Sequence, residues 1–186
     1  MNINDYTITE HRHRYAAWAA SRAAGVSPLC RFTISVGQRV IDKSGLKSIA
    51  SSIDNLPRPN DFDDFHKFLR KSVIDSAVEE GISRDKFTHG VAAKLINVYF
   101  KSIFVCSDKY NDPRVKVIHP PIDSVLLDDL YKNDVGGLRN DWKKAKDSKW
   151  SKFDSNQYES VISAIKTLDF GNDGLWKVEF YWKGFQ

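Results

Sequence analysis

Apolar residues recur at helical spacing through most of the chain, and polar or glycine breaks separate the runs. In "DFDDFHKFLRKSVIDSAVEEG", Phe62, Phe65, Leu69, Val73 and Ala77 fall on one side of a helix; the acidic start suits an N-terminus and Gly81 a stop. "TEHRHRYAAWAASRAAG" predicts a helix over residues 10–24, with Thr9 as cap and Gly25 as stop. "SVGQRVIDKSG" predicts a shorter one ending at Gly45. Beyond "HPP", Asp123 stands at an N-cap with Val125, Leu126, Leu127 and Leu130 behind it, and Asp154 does the same for Tyr158, Val161, Ile162 and Ile165. "DGLWKVEFYWKGFQ" reads as a short aromatic helix. A period of two appears only in "CRFTISV" and "RVKVI", both short. The pattern predicts an all-α fold, a single compact multi-helix domain over 1–186, with the loop 51–61 as the place where an internal boundary would fall.

One stretch departs from ordinary amphipathic patterning. "FTHGVAAKLINVYFKSIFVC", residues 87–106, is apolar around nearly its whole circumference when wound as a helix, so it should be buried on most sides. Lys94, Asn97 and Lys101 form its one polar strip. Such a strip lines a groove, meets partners inside, or reaches water through long side chains. A lysine becomes a nucleophile only when neutral, which requires burial or a neighbouring cation to lower its pKa from about 10.4. Lys94 lies among apolar neighbours with Lys101 two turns along. A carboxylate at a helix N-terminus, as expected for Asp123, can stabilise a developing cation or accept a proton; the plain readings are a snorkelling lysine and a structural cap.

Charge adds a second candidate. The net charge is +4, and "LRNDWKKAKDSKWSKF" (138–153) alone holds six basic residues against two acidic ones. Lys143, Lys144 and Lys146 alternate there with Trp142, Trp150 and Phe153, a combination that can neutralise phosphate and stack bases. The competing reading is a solvated connection whose tryptophans plug the core. The aromatic C-terminus, Trp182 included, can anchor the last helix or wall a base pocket. His66 is read as an edge residue of its helix. Glu10, His11 and His13 are not read as metal ligands, because histidines two apart on a helix point to different faces. Cys30 and Cys106 lack the spacing of a zinc site or disulfide framework. No apolar run reaches membrane-spanning length and the first residues lack the apolar core of a signal peptide, which suggests a cytoplasmic protein.

"HGVAAKLI" (89–96) resembles the helix-hairpin-helix signature of the DNA glycosylases that remove oxidised bases, with Ala92 where the hairpin carries its second glycine. "HPPID" (119–123) resembles the proline, apolar residue, aspartate element of the same superfamily. The spacing of Lys94 from Asp123 and the second lysine at position 101 are closer to the archaeal 8-oxoguanine glycosylases. The resemblance implies a helix-hairpin-helix glycosylase-like fold, DNA as partner, and excision of a flipped base through a lysine Schiff base, with no metal or cofactor. It implies Lys94 and Asp123 as catalytic residues and Gly90 against nucleic acid; with that reading, Asn97, Lys101, His119 and His89 are expected along the cleft, the basic segment's Lys143, Lys144, Lys146 and Trp150 against nucleic acid, and Trp182 as a wall of the base pocket. The alternative is a non-enzymatic helical module that binds nucleic acid or protein through 138–153.

Overall fold

The computed structural model describes residues 6–184. Helices carry the fold: α1 (Ile8–Ala24), α2 (Ile34–Lys43), α3 (Leu46–Ile49), α4 (Phe62–Glu79), α5 (His89–Phe100), α6 (Pro113–Lys116), α7 (Ser124–Lys132), α8 (Arg139–Ser148) and α9 (Ser155–Lys166). The one sheet among the described residues is an antiparallel pair, β1 (Val26–Ser27) and β2 (Cys30–Arg31). No described helix is long and apolar enough to cross a membrane.

Where elements begin follows local chemistry. Thr7, rather than Thr9, caps α1, accepting from Glu10 N–H at 3.2 Å; only Thr7 has a Glu three residues on, the spacing of a capping box. "RVKVI" forms no strand, because Asp112 at the cap and Pro113 at N1 start the one-turn helix α6. "CRFTISV" pairs only at Cys30–Arg31, since Thr33 then caps α2. The C-terminal aromatic run is a 3-10 helix, Leu175–Tyr181, after which Trp182 is extended. Asp123 and Asp154 cap α7 and α9, the latter in a full capping box with Gln157.

α5 is the axis. Val91, Leu95, Ile96, Tyr99 and Phe100 are buried in one apolar cluster built from the chain up to Ile118, whereas Ala93 belongs to a second built from Ile122 to Val178. The core divides at residues 119–121, not in the 51–61 loop, where Leu56 is buried in the first cluster. Beyond Phe100 the helix widens into a π turn, Lys101–Val105, closed by Cys106 N–H on Lys101 O at 2.9 Å. Single π turns inside α-helices are often found at functional sites.

The start of α5 is fastened to the turn after α8. Thr88 caps α5 and gives its hydroxyl proton to Ser151 O, and Gly90 N–H donates to Phe153 O. A Cβ at Gly90 would stand 1.8 Å from Trp150 O, so glycine is required there by the approach of a second backbone. Gly90 already lies in the first turn of α5 and donates its N–H to Phe153 O, so this amide is not offered to a phosphate as expected from "HGV".

Candidate active site

Lys94 lies at the seam of the two clusters. Its side chain reaches from mid-α5 to the N-terminus of α7, where Nζ donates to Asp123 Oδ2 at 2.9 Å. The residue is 6% exposed. Asp123 uses both oxygens: Oδ1 accepts from Leu126 N–H at 2.9 Å as the cap, and Oδ2 also accepts from Trp182 Nε1 at 3.0 Å. Trp150 faces the ammonium, its ring centroid 5.8 Å from Nζ. Burial pushes the Lys94 pKa below the usual lysine range, against the pull of the Asp123 carboxylate.

Two turns on from Lys94, at the start of the π turn, Lys101 binds Glu179 and stands 5.8 Å from the Trp182 ring centroid. Burial raises the Glu179 pKa, while Lys101 and Lys94 oppose the rise. Amine, carboxylate and two indoles thus meet in one partly desolvated place. The approach of Trp150 depends on Lys149, whose φ of 63° lies in the left-handed region that L-residues rarely occupy.

Other predicted residues fall elsewhere. Asn97 and His119 are buried and line no open cleft beside Lys94; they belong to a polar network behind α5. Arg70 and the Pro120 carbonyl fix its proton positions, because the first can only donate and the second only accept. Arg70 Nη1 donates to His66 Nδ1 at 2.8 Å, which places the His66 proton on Nε2, donated to Asn97 Oδ1 at 2.8 Å. Asn97 Nδ2 donates to Pro120 O at 2.9 Å and to Tyr158 Oη at 3.0 Å. Tyr158 then donates to His119 Nδ1, and His119 Nε2–H to Asp63 at 2.9 Å. Both histidines are neutral in this order, and burial pushes both pKa values down. The expected edge position of His66 is therefore corrected: it is fully buried, on the stripe of Phe62, Leu69 and Val73 that faces the core. His89 belongs to the same region, with Arg70 Nε 3.4 Å from its Nδ1.

The basic segment is mostly α8. Trp142 and Phe153 are fully buried, and Trp142 Nε1 donates to Val135 O, so neither is available to stack a base. Lys143 pairs with Asp147 and Lys146 with Asp128; Lys144, Lys149 and Lys152 are exposed. Trp150 belongs to Lys94 rather than to an exposed platform. Glu179 and the Arg70 network were missed by the sequence reading. A lone acid inside "LWKVEFYW" and an arginine four residues after His66 on an apolar face were the available signals.

Among the described residues, no group of three His, Cys, Asp or Glu side chains is gathered to hold a metal ion. Comparison with protein-family models, with curated proteins and with solved structures finds no match for this chain.

Proposed function

We propose that the protein is a DNA base-excision glycosylase and lyase with a helix-hairpin-helix glycosylase-like fold, Lys94 its nucleophile and Asp123 the partner of that lysine. The observation that carries this reading is the 2.9 Å contact of Lys94 Nζ with Asp123 Oδ2, made by residues 29 apart in the chain, with the lysine nearly closed off from water and the aspartate partly so. A buried amine whose pKa is pushed down, beside a carboxylate and aromatic rings, has the features a Schiff-base lysine needs.

In the proposed reaction, neutral Lys94 gives its lone pair to C1′ of a flipped nucleotide. The bond from C1′ to the base breaks, and the base leaves with that electron pair and takes a proton. Nζ gives up a proton, the C1′–O4′ bond breaks with its electron pair passing to O4′, which takes that proton, and a protonated imine is left between Nζ and C1′. Loss of a C2′ proton and rupture of the C3′–O bond complete β-elimination. Asp123, held by Leu126 N–H and Trp182 Nε1–H, faces the cationic centre throughout. Exposed Lys144, Lys149 and Lys152 lie on the segment that leads to Trp150 and would hold the phosphates near this wall.

The test is incubation with duplexes that carry oxidised guanine, uracil or an abasic site, followed by borohydride. A covalent adduct that is absent in Lys94→Ala supports the reading. Salt-sensitive binding without an adduct would instead indicate a non-enzymatic module acting through residues 138–153.

A further inference from the structure

α1 has two unlike faces. Ala16, Ala17, Ala20, Ser21 and Ala24 are buried on one, and His13 on that side meets the Tyr99 hydroxyl of α5 at 2.8 Å. The opposite face is not the charged and polar one that an amphipathic helix turns to water. Ile8 is 63% and Tyr15 61% exposed, and the exposed Trp18 ring lies beside Tyr15 with centroids 6.0 Å apart. Tyr6 adds a third exposed ring, packed on His11 and Arg14. Of the eleven exposed large apolar side chains among the described residues, six lie between positions 6 and 29. One such side chain needs no account, but a cluster on a single helix does.

Spacing and charge define what would cover it. Ile8, His11, Tyr15, Trp18 and Arg22, all exposed, follow one another at intervals of three and four residues, the spacing of a helix–helix seam, over about 21 Å of α1. In that register Arg12 and Arg14 stand on the two flanks of the seam. Arg12 and Arg22 enter no salt bridge among the described residues, and Glu10, the one acid of α1, is already held by Arg14 and Lys47. A second copy of the chain does not suit this seam. Antiparallel, it would set Arg12 and Arg14 against their own counterparts, and parallel, Arg22 against Arg22. Nor does a nucleic acid strand, because a single convex helix gives no groove for its backbone and the two rings lie against each other rather than apart to receive a base.

We infer that the outer face of α1 is a docking surface for an amphipathic helix of another protein, one whose apolar stripe lies along Ile8, Tyr15 and Trp18 and whose flanking positions are acidic. The inference does not rest on Lys94 being a nucleophile. Tyr99, which ties α1 to α5, is five residues from Lys94 and so about 140° round that helix, which puts the α1 face away from the candidate active site.

The test is calorimetric titration of the full chain with two synthetic three-heptad peptides that share leucine at the seam positions and differ only on the flanks, glutamate in one and lysine in the other. Like charges on the flanks keep either peptide from pairing with itself. The expected result is saturable binding of the glutamate peptide, about tenfold tighter than the lysine peptide and weakened by added salt. Trp18→Ala should lower that affinity about tenfold, and Arg12→Glu should move the preference toward the lysine peptide. Both changes fall at exposed positions, so thermal unfolding should be unaltered. Binding of neither peptide, equal binding of both, or affinities unchanged in both variants would overturn the inference. So would oligothymidylate or phosphatidylserine vesicles binding more tightly than the glutamate peptide, with that binding lost in Trp18→Ala.

Discussion

Asn97 donates to the carbonyl of Pro120 at 2.9 Å, and the same offset of three residues on each side brings Lys94 to Asp123, also at 2.9 Å. Two polar residues one turn apart on α5 thus staple the "HPPID" segment at two points. The buried asparagine fixes where the segment runs, and the lysine meets the carboxylate at its end. Two of the three residues in the polar strip of an otherwise apolar helix are thereby explained: Lys94 and Asn97 hold the segment that joins α6 to α7, while Lys101 binds Glu179.

Asn97→Leu should therefore do more than leave a gap. Pro120 O, His66 and Tyr158 each lose a partner inside the protein, at about 1–3 kcal/mol for each buried group left unsatisfied. Urea denaturation should show a fall in stability at the upper end of that range or beyond. Asn97→Asp should be no better, because a carboxylate cannot donate to a carbonyl.

The two members of the central pair should differ when removed singly. Lys94→Met replaces the stem with apolar volume and leaves Asp123 bonded to Leu126 N–H and Trp182 Nε1. Asp123→Leu leaves a buried ammonium with its principal acceptor gone and uncaps α7. Expected costs are about 1 kcal/mol for the first and about 3–5 kcal/mol for the second. Equilibrium unfolding at pH 7 measures both, and equal losses would contradict the assignment of Asp123 as the shared anchor.

Stability should fall as the solution is acidified below neutrality. His66 and His119 are held below the ordinary histidine value of 6.5, chiefly by burial, so the unfolded chain takes up protons that the folded protein refuses. Their contribution is complete above that value and is lost as pH falls from it toward the folded pKa. Each histidine adds at most about 1.4 kcal/mol per pH unit to the slope. His66→Gln should flatten the profile between pH 6.5 and 5.5. Asp63 acts further down: His119 and Lys166 hold its pKa well below the usual carboxylate value, so its share is lost only in more acidic solution.

The turn at Lys149 should respond to relief of backbone strain. Its φ of 63° suits glycine, so Lys149→Gly is expected to raise the unfolding free energy by about 1 kcal/mol while leaving Trp150 in place. At Gly90 the reverse holds. Gly90→Ala drives a methyl into the Trp150 carbonyl and should cost at least about 3 kcal/mol, or prevent accumulation of folded protein. Thermal unfolding of the two variants gives opposite signs.

Much of the helical framework was legible because apolar spacing and cap chemistry act locally: Asp123 and Asp154 could be placed from their own neighbours. Lys94 stood out because a cation on an all-apolar helix requires a partner. What could not be read was the far end of each long-range bond. Trp182 reaches Asp123 across 59 residues, and Arg70 reaches Glu159 across 89, with nothing in either local segment to specify the other. The tryptophans of 138–153 misled for a related reason. Trp142 and Trp150 look alike in sequence, and only packing sends one into the second core and the other over Lys94.

The most direct measurement is mass-spectrometric mapping of the covalent product formed when the protein, an 8-oxoguanine or abasic duplex and borohydride are mixed. The expected result is one reduced adduct on the peptide that contains Lys94, at Lys94 itself, with its yield greatly reduced in Asp123→Asn. An adduct on Lys101 or another lysine, or no adduct on duplexes that the protein demonstrably binds, would contradict the assignment of Lys94 as nucleophile.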